Sequence, residues 1–298
     1  MFAEMTLQEA SQFCIEKLNK IYDEGEAIAI TGIVMEKITG LRITDSQFKK
    51  EKSLTPDQAS LFNKILERLL THEPVQYVLN ESWFFGFKFY VDKNVLIPRP
   101  ETEELVEWII TDCNASLSTQ QQGIGVLKIL DIGSGSGCIP VSLKRKMQKS
   151  EICSCDISIE ALKVAKKNAT DLDTDINFIR LDFLDKEQWK QLPEFDIIIS
   201  NPPYVPAKEA AQMLTNVLKY EPSIALFVPD DDALIFYKAI AEFGKQHLKK
   251  GGNIFLEIHE SLGEAVLKML KENGYTAEIR KDMQQKDRMI KAGLLLIE

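Results

Sequence analysis

The segment VLKILDIGSGSG, residues 126–137, decides the fold, because an apolar strand pattern runs directly into a glycine-rich turn. Helical spacing of apolar residues begins at Cys138, immediately after this turn. In a strand, turn and helix of this order, glycines allow the backbone to approach a ligand closely. We therefore expect the turn to bind a cofactor through Gly133, Ser134, Gly135, Ser136 and Gly137.

Strands and helices alternate from this segment towards the end of the chain. The pattern predicts strands at 126–132, 152–155, 176–181, 195–200 and 253–258, and helices at 101–111, 138–147, 159–169, 233–249 and 262–272. It also predicts a polar surface loop at 114–123, a helix end at Gly251, and an edge hairpin formed by 276–280 and 289–297. This alternation is typical of an α/β fold with a doubly wound, Rossmann-like parallel sheet.

The region before this domain predicts helices. Thr6 and Glu9 form a capping-box pattern, and Thr55 with Gln58 forms a second one. β-Branched and aromatic residues around Gly86 predict a hairpin. We therefore expect three parts: a small helical domain at 1–74, a β-hairpin linker at 75–97 and the α/β domain at 98–298.

The composition excludes several classes of protein. Hydrophobic residues make up 45% and charged residues 27% of the 298, which is ordinary for a soluble globular chain. Lys and Arg number 36 against 45 Asp and Glu, and the net charge of −9 disfavours broad binding to nucleic-acid phosphates. Charges interrupt the apolar stretches before about 18 residues, so we expect no membrane span. Five scattered cysteines and no signal peptide predict a reducing, cytoplasmic compartment.

Predicted strand ends bear side chains that suit a nucleoside. Asp156 follows Asp131 by about 25 residues, close to the offset at which a Rossmann-like unit places a carboxylate on ribose hydroxyls. Asp182 and Phe183 occupy the crevice position for an adenine, as acceptor and stacking ring. The Gly-x-Gly-x-Gly spacing of the turn favours the loop that surrounds the amino-acid end of S-adenosyl-L-methionine. We therefore expect that cofactor.

A motif for binding a planar NH₂ group directly follows the strand predicted at 195–200. Two successive prolines remove two backbone N–H donors and keep the chain extended. The Asn201 side-chain oxygen and the Pro202 carbonyl are thereby left as acceptors for the two hydrogens of that group. We expect Asn201, Pro202 and Tyr204 to be catalytic, and Asn201, Pro202, Pro203 and Tyr204 to bind the substrate.

The chemistry that follows is methyl transfer to nitrogen. Two acceptors on an amide or aryl NH₂ group raise the electron density on nitrogen and aim its lone pair at the sulfonium methyl. The methylated nitrogen is strongly acidic, so its proton leaves without a dedicated general base. Tyr204 would form a wall beside the planar group or stack on it.

Further blocks resemble one known family over nearly the whole chain. They are EPVQY at 73–77, FG at 85–86, FYV at 89–91, IPRPETEELV at 97–106, YEP at 220–222, LEI at 256–258, KD at 281–282 and KDR at 286–288. Together with residues 201–204, these blocks resemble the N5-glutamine methyltransferases that modify peptide chain release factors. Asn80 stands where that family usually has glycine, and asparagine tolerates the left-handed backbone of such a turn.

The resemblance implies methyl transfer from S-adenosylmethionine to the side-chain amide nitrogen (N5) of the glutamine in the Gly-Gly-Gln loop of release factors, proteins of translation termination. It implies that the helical N-terminal domain helps to dock this large substrate. It also implies that the glycine turn, Asp156, Phe183 and Asn201 contact the cofactor, and that Arg99, Thr102 and Glu103 close the site near the methionine end.

Other functions stay open on the sequence alone. A nucleic-acid methyltransferase would present the same NH₂ group from adenine or guanine, although the net charge and the block at 98–106 oppose it. A sister enzyme modifies a ribosomal-protein glutamine, and a non-catalytic protein could retain only the cofactor pocket. No metal is expected, because Cys153 and Cys155 have no second Cys or His pair nearby and His72, His247 and His259 are isolated.

Overall fold

The structure is a computed structural model that describes residues 5–45, 52–119 and 126–295. Its helices are α1 (Leu7–Leu18), α2 (Glu24–Thr39), α3 (Pro56–Leu69), α4 (Val75–Leu79), α5 (Pro100–Thr119), α6 (Cys138–Lys146), α7 (Ile159–Asp171), α8 (Thr215–Tyr220), α9 (Ile235–His247) and α10 (Gly263–Glu272). Its strands are β1 (Ser82–Phe84), β2 (Phe87–Phe89), β3 (Lys128–Ile132), β4 (Glu151–Asp156), β5 (Asn177–Arg180), β6 (Phe195–Ser200), β7 (Val205–Pro206), β8 (Phe227–Val228), β9 (Leu248–Glu257), β10 (Tyr275–Lys281) and β11 (Asp287–Leu294).

The chain divides into two compact units. The first contains the described residues up to Glu81 together with Leu214–Tyr220, and the second contains Ser82–Met213 and the chain from Glu221 onward. The first unit is helical, with an apolar core of its own built mainly from α1, α2 and α3. The predicted docking role of the helical region stays a prediction. Across the described residues, no helix is long and apolar enough to cross a membrane.

Both predicted capping boxes are present in the first unit. The Thr6 side chain accepts a hydrogen bond from the Glu9 backbone at 3.2 Å, and the Thr55 side chain accepts one from Gln58 at 3.3 Å. The Glu9 and Gln58 side chains accept hydrogen bonds from the cap backbones in return. These reciprocal bonds satisfy donors that the first turn of a helix leaves unpaired, so the sequence correctly predicts where α1 and α3 begin.

The hairpin predicted for residues 75–97 is wrong for its first part, because Val75–Leu79 forms helix α4. Arg68 donates hydrogen bonds to the carbonyls of Tyr77 and Val78 at 3.1 and 2.9 Å, which satisfies the end of this short helix. Asn80 ends the helix in the left-handed region with φ of 54°, as predicted for the turn. Only β1 and β2 form the antiparallel hairpin, around Gly86.

The second unit is built on a seven-stranded sheet in the order β10-β11-β9-β6-β3-β4-β5. Strands β9, β6, β3, β4 and β5 are parallel, whereas β11 and β10 form the predicted antiparallel pair at one edge. Alternate residues of β6 face opposite cores, with Ile198 packing in the core of α9 and α10 and Ile199 in the core of α5 and α6. The doubly wound α/β fold is confirmed, and its strand order reverses between β3 and β6.

Two element boundaries differ from the prediction. Helix α5 continues through Thr119, because residues 112–119 contain no glycine or proline to stop it. The loop predicted at 114–123 is therefore wrong as far as Thr119, and its residues 120–123 lie outside the described residues. Helix α9 ends at His247, before Gly251, because Leu248 already pairs with Phe195 as the first residue of β9.

Candidate active site

A cavity of about 290 Å³ lies at the carboxyl ends of β3, β4 and β6 in the second unit. The fold brings together most of the predicted site residues around it, namely Gly133, Ser134, Gly135, Ser136, Asp156, Asp182, Phe183, Asn201, Pro202 and Pro203. Arg99 and Thr102 also line the cavity. Gly137, Tyr204 and Glu103 lie outside its lining. The individual role of each residue stays a prediction.

The glycine turn is held open by backbone bonds to β4. The Gly133 and Ser134 N–H groups donate to the carbonyl of Cys155 at 2.8 and 3.0 Å, and three residues of the turn have left-handed backbone, at Gly133, Gly135 and Gly137. No atom of the described residues lies within 4 Å of the place where a Cβ of Gly133 would stand. A side chain there would project into open space, and the left-handed backbone of Gly133 favours glycine at this position.

Asp156 joins the turn to the end of β4. Its Oδ2 accepts a hydrogen bond from the Gly135 backbone at 2.9 Å, and its Oδ1 accepts one from the Ser158 backbone at 2.8 Å. Burial is the largest influence on this carboxyl and raises its pKa, against the lowering effect of these bonds. Each oxygen still has a lone pair for a hydroxyl donor, as ribose binding requires.

Asp182 and Phe183 form the wall that follows β5. Asp182 Oδ1 accepts a hydrogen bond from the Leu184 backbone at 3.0 Å, which fixes the carboxylate at the cavity. Phe183 is only 5% exposed and packs against Trp189 and Phe243, with ring centroids 5.6 and 5.3 Å away. Most of the Phe183 ring therefore lies in the core, and only a small part of its surface is available for the predicted adenine contact.

Asp131 lies buried at the end of β3, next to the turn. Its Oδ2 accepts a hydrogen bond from Ser154 Oγ at 2.6 Å, and Ser154 Oγ lies 2.5 Å from Ser134 Oγ. Among the described residues, Asp131 Oδ1 has no hydrogen-bond partner. Complete burial is the main cause that raises the pKa of Asp131 to about 7. The end of β3 therefore contains a carboxyl group that can be neutral or ionised near physiological pH.

Asn201 has a fixed donor and a free acceptor. Its Nδ2 donates to Thr102 Oγ1 at 3.1 Å, and Thr102 Oγ1 donates to Glu257 Oε2 at 2.6 Å. No described residue donates a hydrogen bond to Asn201 Oδ1. Asn201 and Pro202 both line the cavity. That the amide oxygen and the Pro202 carbonyl accept hydrogen bonds from a substrate stays a prediction.

Tyr204 lies outside the cavity lining and hydrogen-bonds to Glu257. Its hydroxyl donates to Glu257 Oε1 at 3.4 Å, and its ring lies 5.7 Å from the His259 ring. Burial is the main cause that raises the pKa of Tyr204, so the hydroxyl keeps its proton at neutral pH. The stacking role predicted for Tyr204 stays a prediction.

Sequence reasoning missed the carboxylates that hold this edge together. Glu257 is 2% exposed at the end of β9 and accepts hydrogen bonds from both Thr102 and Tyr204. Glu221 is 6% exposed and pairs with Arg99 at 2.5 Å. In the sequence, Glu221 and Glu257 are visible only as the carboxylates of the blocks 220–222 and 256–258. No spacing connects either residue to the motif at 201–204.

The cysteines and histidines form no metal site in the described part of the chain. Cys153 and Cys155 pack in the core of the sheet, as predicted. His247 stacks on Phe243 with 4.2 Å between ring centroids, and His259 Nδ1 lies 2.7 Å from Ser261 Oγ.

Family profiles and known proteins were compared with this chain. Residues 9–79 match the PrmC N-terminal domain, and residues 116–222 match the methyltransferase small domain. Among curated proteins, the release factor glutamine methyltransferase of Flavobacterium psychrophilum is 42% identical over 278 residues, covering 93% of this chain and 95% of the relative. The protein of the same name from Bacteroides thetaiotaomicron is 37% identical over 93% of this chain and 96% of its own length.

A solved structure supports the fold. The 16S rRNA N2 G1207 methyltransferase of T. thermophilus, in complex with AdoMet and guanosine, has a TM-score of 0.50 and 16% identity, and the match covers 72% of this chain and 50% of that one. The match to the methyltransferase small domain and the curated relatives show that the chain is an S-adenosylmethionine-dependent methyltransferase. More closely, the chain belongs to the family of release factor glutamine methyltransferases.

The cavity fits this cofactor by its chemistry. S-Adenosylmethionine has a ribose diol, an exocyclic amine and two cationic groups, and its sulfonium supplies an electrophilic methyl group when it is bound. Asp156 and Asp182 present carboxylates for the diol and the amine, while Gly133 and Gly135 leave room for close backbone approach. These residues would hold the cofactor, and Asn201 would hold the acceptor nitrogen.

Proposed function

We propose that this enzyme transfers a methyl group from S-adenosylmethionine to the N5 amide nitrogen of the glutamine in the Gly-Gly-Gln loop of peptide chain release factors. Its relatives at 42% and 37% identity are named release factor glutamine methyltransferases, and the match covers nearly their whole length. The site observation that supports the reaction is that Asn201 lines the cavity while one N–H of its amide donates to Thr102, which turns the amide oxygen away from Thr102.

Asn201 and Pro202 act on the glutamine amide in this reaction. The Asn201 side-chain oxygen and the Pro202 carbonyl accept the two N–H hydrogens, which raises electron density on nitrogen and turns its lone pair towards the methyl group. Because both oxygens are fixed at the end of β6, they hold the substrate nitrogen in the orientation that methyl transfer requires. The proton of the methylated nitrogen then leaves to water, because that nitrogen is strongly acidic.

The helical unit docks the release factor in this proposal, and the enzyme acts in the cytoplasm, where translation factors are found. Every cavity-lining residue belongs to the second unit, so the first unit is free for a role outside cofactor binding. Its match to the PrmC N-terminal domain supports a function specific to this family.

Mass spectrometry of a purified, unmethylated release factor tests the proposal. The factor is incubated with the enzyme and S-adenosylmethionine, beside a version whose loop glutamine is replaced by asparagine. We expect one added methyl group on the loop glutamine and none on the replaced version. Asparagine keeps the amide group but has a shorter side chain. This control therefore tests whether methylation needs the amide at the distance that glutamine provides.

A different result would redirect the function. If the release factor gains no methyl group while calorimetry shows that the cofactor binds, the fold and pocket stand but the substrate is wrong. A ribosomal-protein glutamine and the exocyclic amines of DNA or RNA would then be the next substrates to test. Methylation of duplex nucleic acid, with binding that weakens steeply as salt rises, would favour the last class.

A further inference from the structure

Glu257 is a buried carboxylate linked to both ends of the segment 201–204, directly to Tyr204 and through Thr102 to Asn201. Its side chain lies at the end of β9, next to β6, where Leu256 pairs with Ser200. Its Oε2 accepts from Thr102, which in turn accepts from Asn201, and its Oε1 accepts from the Tyr204 hydroxyl at 3.4 Å. Glu257 is not part of the cavity lining, so it acts on the site only through these neighbours.

The chemistry of these groups fixes the direction of each hydrogen bond. An ionised carboxylate only accepts, so the Thr102 hydroxyl must donate its single hydrogen to Glu257. The lone pairs of Thr102 then accept from the Asn201 NH₂ group. One N–H of the Asn201 amide is thereby directed at Thr102. The amide oxygen points away from Thr102 and is the acceptor that a substrate in the cavity can use.

We propose that Glu257 is a positioning residue that orients the Asn201 amide through Thr102, so that Asn201 presents its oxygen to the NH₂ group of the acceptor. The proposal rests on the proposed function, because an amide NH₂ acceptor needs an oxygen at this position. With Glu257 protonated, the carboxyl O–H donates to Thr102, Thr102 donates to Asn201, and the amide turns around. Asn201 would then present NH₂ to NH₂, an arrangement without an acceptor.

The groups around Glu257 make the orientation of the Asn201 amide depend on pH. Burial is the largest cause that raises its pKa to about 7, with Glu101 of α5 adding to the rise. The Thr102 and Tyr204 hydrogen bonds and the charge of Arg288 on β11 oppose the rise. The other titratable groups around it are Tyr237 of α9, whose hydroxyl donates to the Glu257 carbonyl at 3.2 Å, and Cys138 of α6. The oriented form of Asn201 therefore gains population as pH rises through about 7.

Nuclear magnetic resonance on the free enzyme tests the orientation without any substrate. The Asn201 side-chain amide signals are identified by their loss in N201A and followed from about pH 5.5 to 8.5. We expect them to shift with a midpoint near 7 in the wild-type enzyme, and this transition to vanish in E257Q. Histidines also titrate near neutral pH, so H259Q is the control and should keep the transition. Signals without a transition, or with the same transition in E257Q, would overturn the proposal.

Kinetics on the release factor tests the consequence. We expect E257Q and T102V to lower kcat by about ten-fold or more, and T102S to recover most of what T102V loses because it keeps the hydroxyl. The acid limb of the wild-type pH profile should be lost in E257Q, while cofactor affinity stays within about three-fold because Glu257 does not line the cavity. An unchanged kcat and acid limb in E257Q would refute the positioning role. Failure of the wild-type enzyme to methylate the factor would refute the proposed function instead, and the resonance experiment would still decide the role of Glu257.

Discussion

The Asn201 side chain has two polar atoms, and the proposed mechanism gives each of them a different partner. Its Nδ2 donates to Thr102 Oγ1 at 3.1 Å and the residue lines the cavity, so in the proposed mechanism removing the side chain removes the acceptor for the reacting nitrogen. We expect Asn201→Ala to lower kcat by about 100-fold or more at saturating cofactor, the scale of losing one preorganised polar contact. Single-turnover methylation of the release factor measures this. Asn201→Asp, which keeps an acceptor but loses the donor to Thr102, should also be slow, and near-normal turnover of the alanine variant would contradict the mechanism.

Asp131 gives a second prediction at this scale, on stability instead of rate. Its pKa is raised to about 7 in the folded protein, so between about pH 4 and 7 the folded state keeps a proton that the unfolded chain has lost. The free energy of unfolding therefore falls as pH rises through this range, and the fall ends above about 7. From pH 5.5 to 8 the loss amounts to about 2 kcal/mol.

Asp131→Asn isolates this loss, because an amide does not titrate. Urea unfolding of the cofactor-free protein at several pH values should show that the stability difference, variant minus wild type, grows by about 2 kcal/mol over that range. Glu257 titrates in both proteins and cancels in the difference. Parallel pH curves for the two proteins would mean that Asp131 does not gain a proton on folding.

At the scale of elements, the start of α6 depends on Gly137. Its φ is +79°, and a Cβ added there would lie 3.1 Å from Ala165 on α7. We expect Gly137→Ala to destabilise the protein by roughly 2–5 kcal/mol, because left-handed backbone costs about 1–2 kcal/mol and overpacking about 1–3 kcal/mol.

A matched control separates the two costs. Gly40 has a similar φ of +71° with no described atom within 4 Å of an added Cβ, so Gly40→Ala should lose only about 1–2 kcal/mol. Equal destabilisation by the two single substitutions, measured by chemical unfolding, would show that the contact with Ala165 costs nothing.

The sequence predicts an element well when the hydrogen bonds that fix its end join residues close together in the chain. Thr6 and Thr55 bond to residues three positions along the chain, so their pattern alone marks a helix start. By contrast, α4 depends on Arg68 reaching the carbonyls of Tyr77 and Val78, a contact that no short pattern records.

The same distinction holds for the site. The sequence predicts that residues 133–137, 156, 182–183 and 201–204 surround one ligand, because parallel strands bring their carboxyl ends to one edge. Of these residues, all but Gly137 and Tyr204 line one cavity. The Thr102–Glu257 bond joins residues 155 positions apart in sequence, so only the folded chain reveals it.

At the scale of the whole molecule, we expect each unit to bind a different partner, the cofactor in the second unit and the release factor on the first. All cavity-lining residues belong to the second unit, whereas the first has its own apolar core and no share in the cavity as far as the described residues show. We therefore expect S-adenosylmethionine alone to slow amide hydrogen exchange around β3, β4 and β6, and to leave α1–α3 unchanged. Mass spectrometry of exchanged peptides measures both effects in the intact enzyme.

Addition of the release factor extends this prediction to the helical unit. If that unit docks the substrate, a saturating release factor should slow exchange in α1–α3 as well, by about ten-fold or more at the docked surface. The loop-glutamine variant of the factor should give the same protection there, because docking a large protein surface does not depend on one side chain. Protection confined to the second unit at saturation would remove the docking role and place the whole recognition of the release factor on the α/β unit.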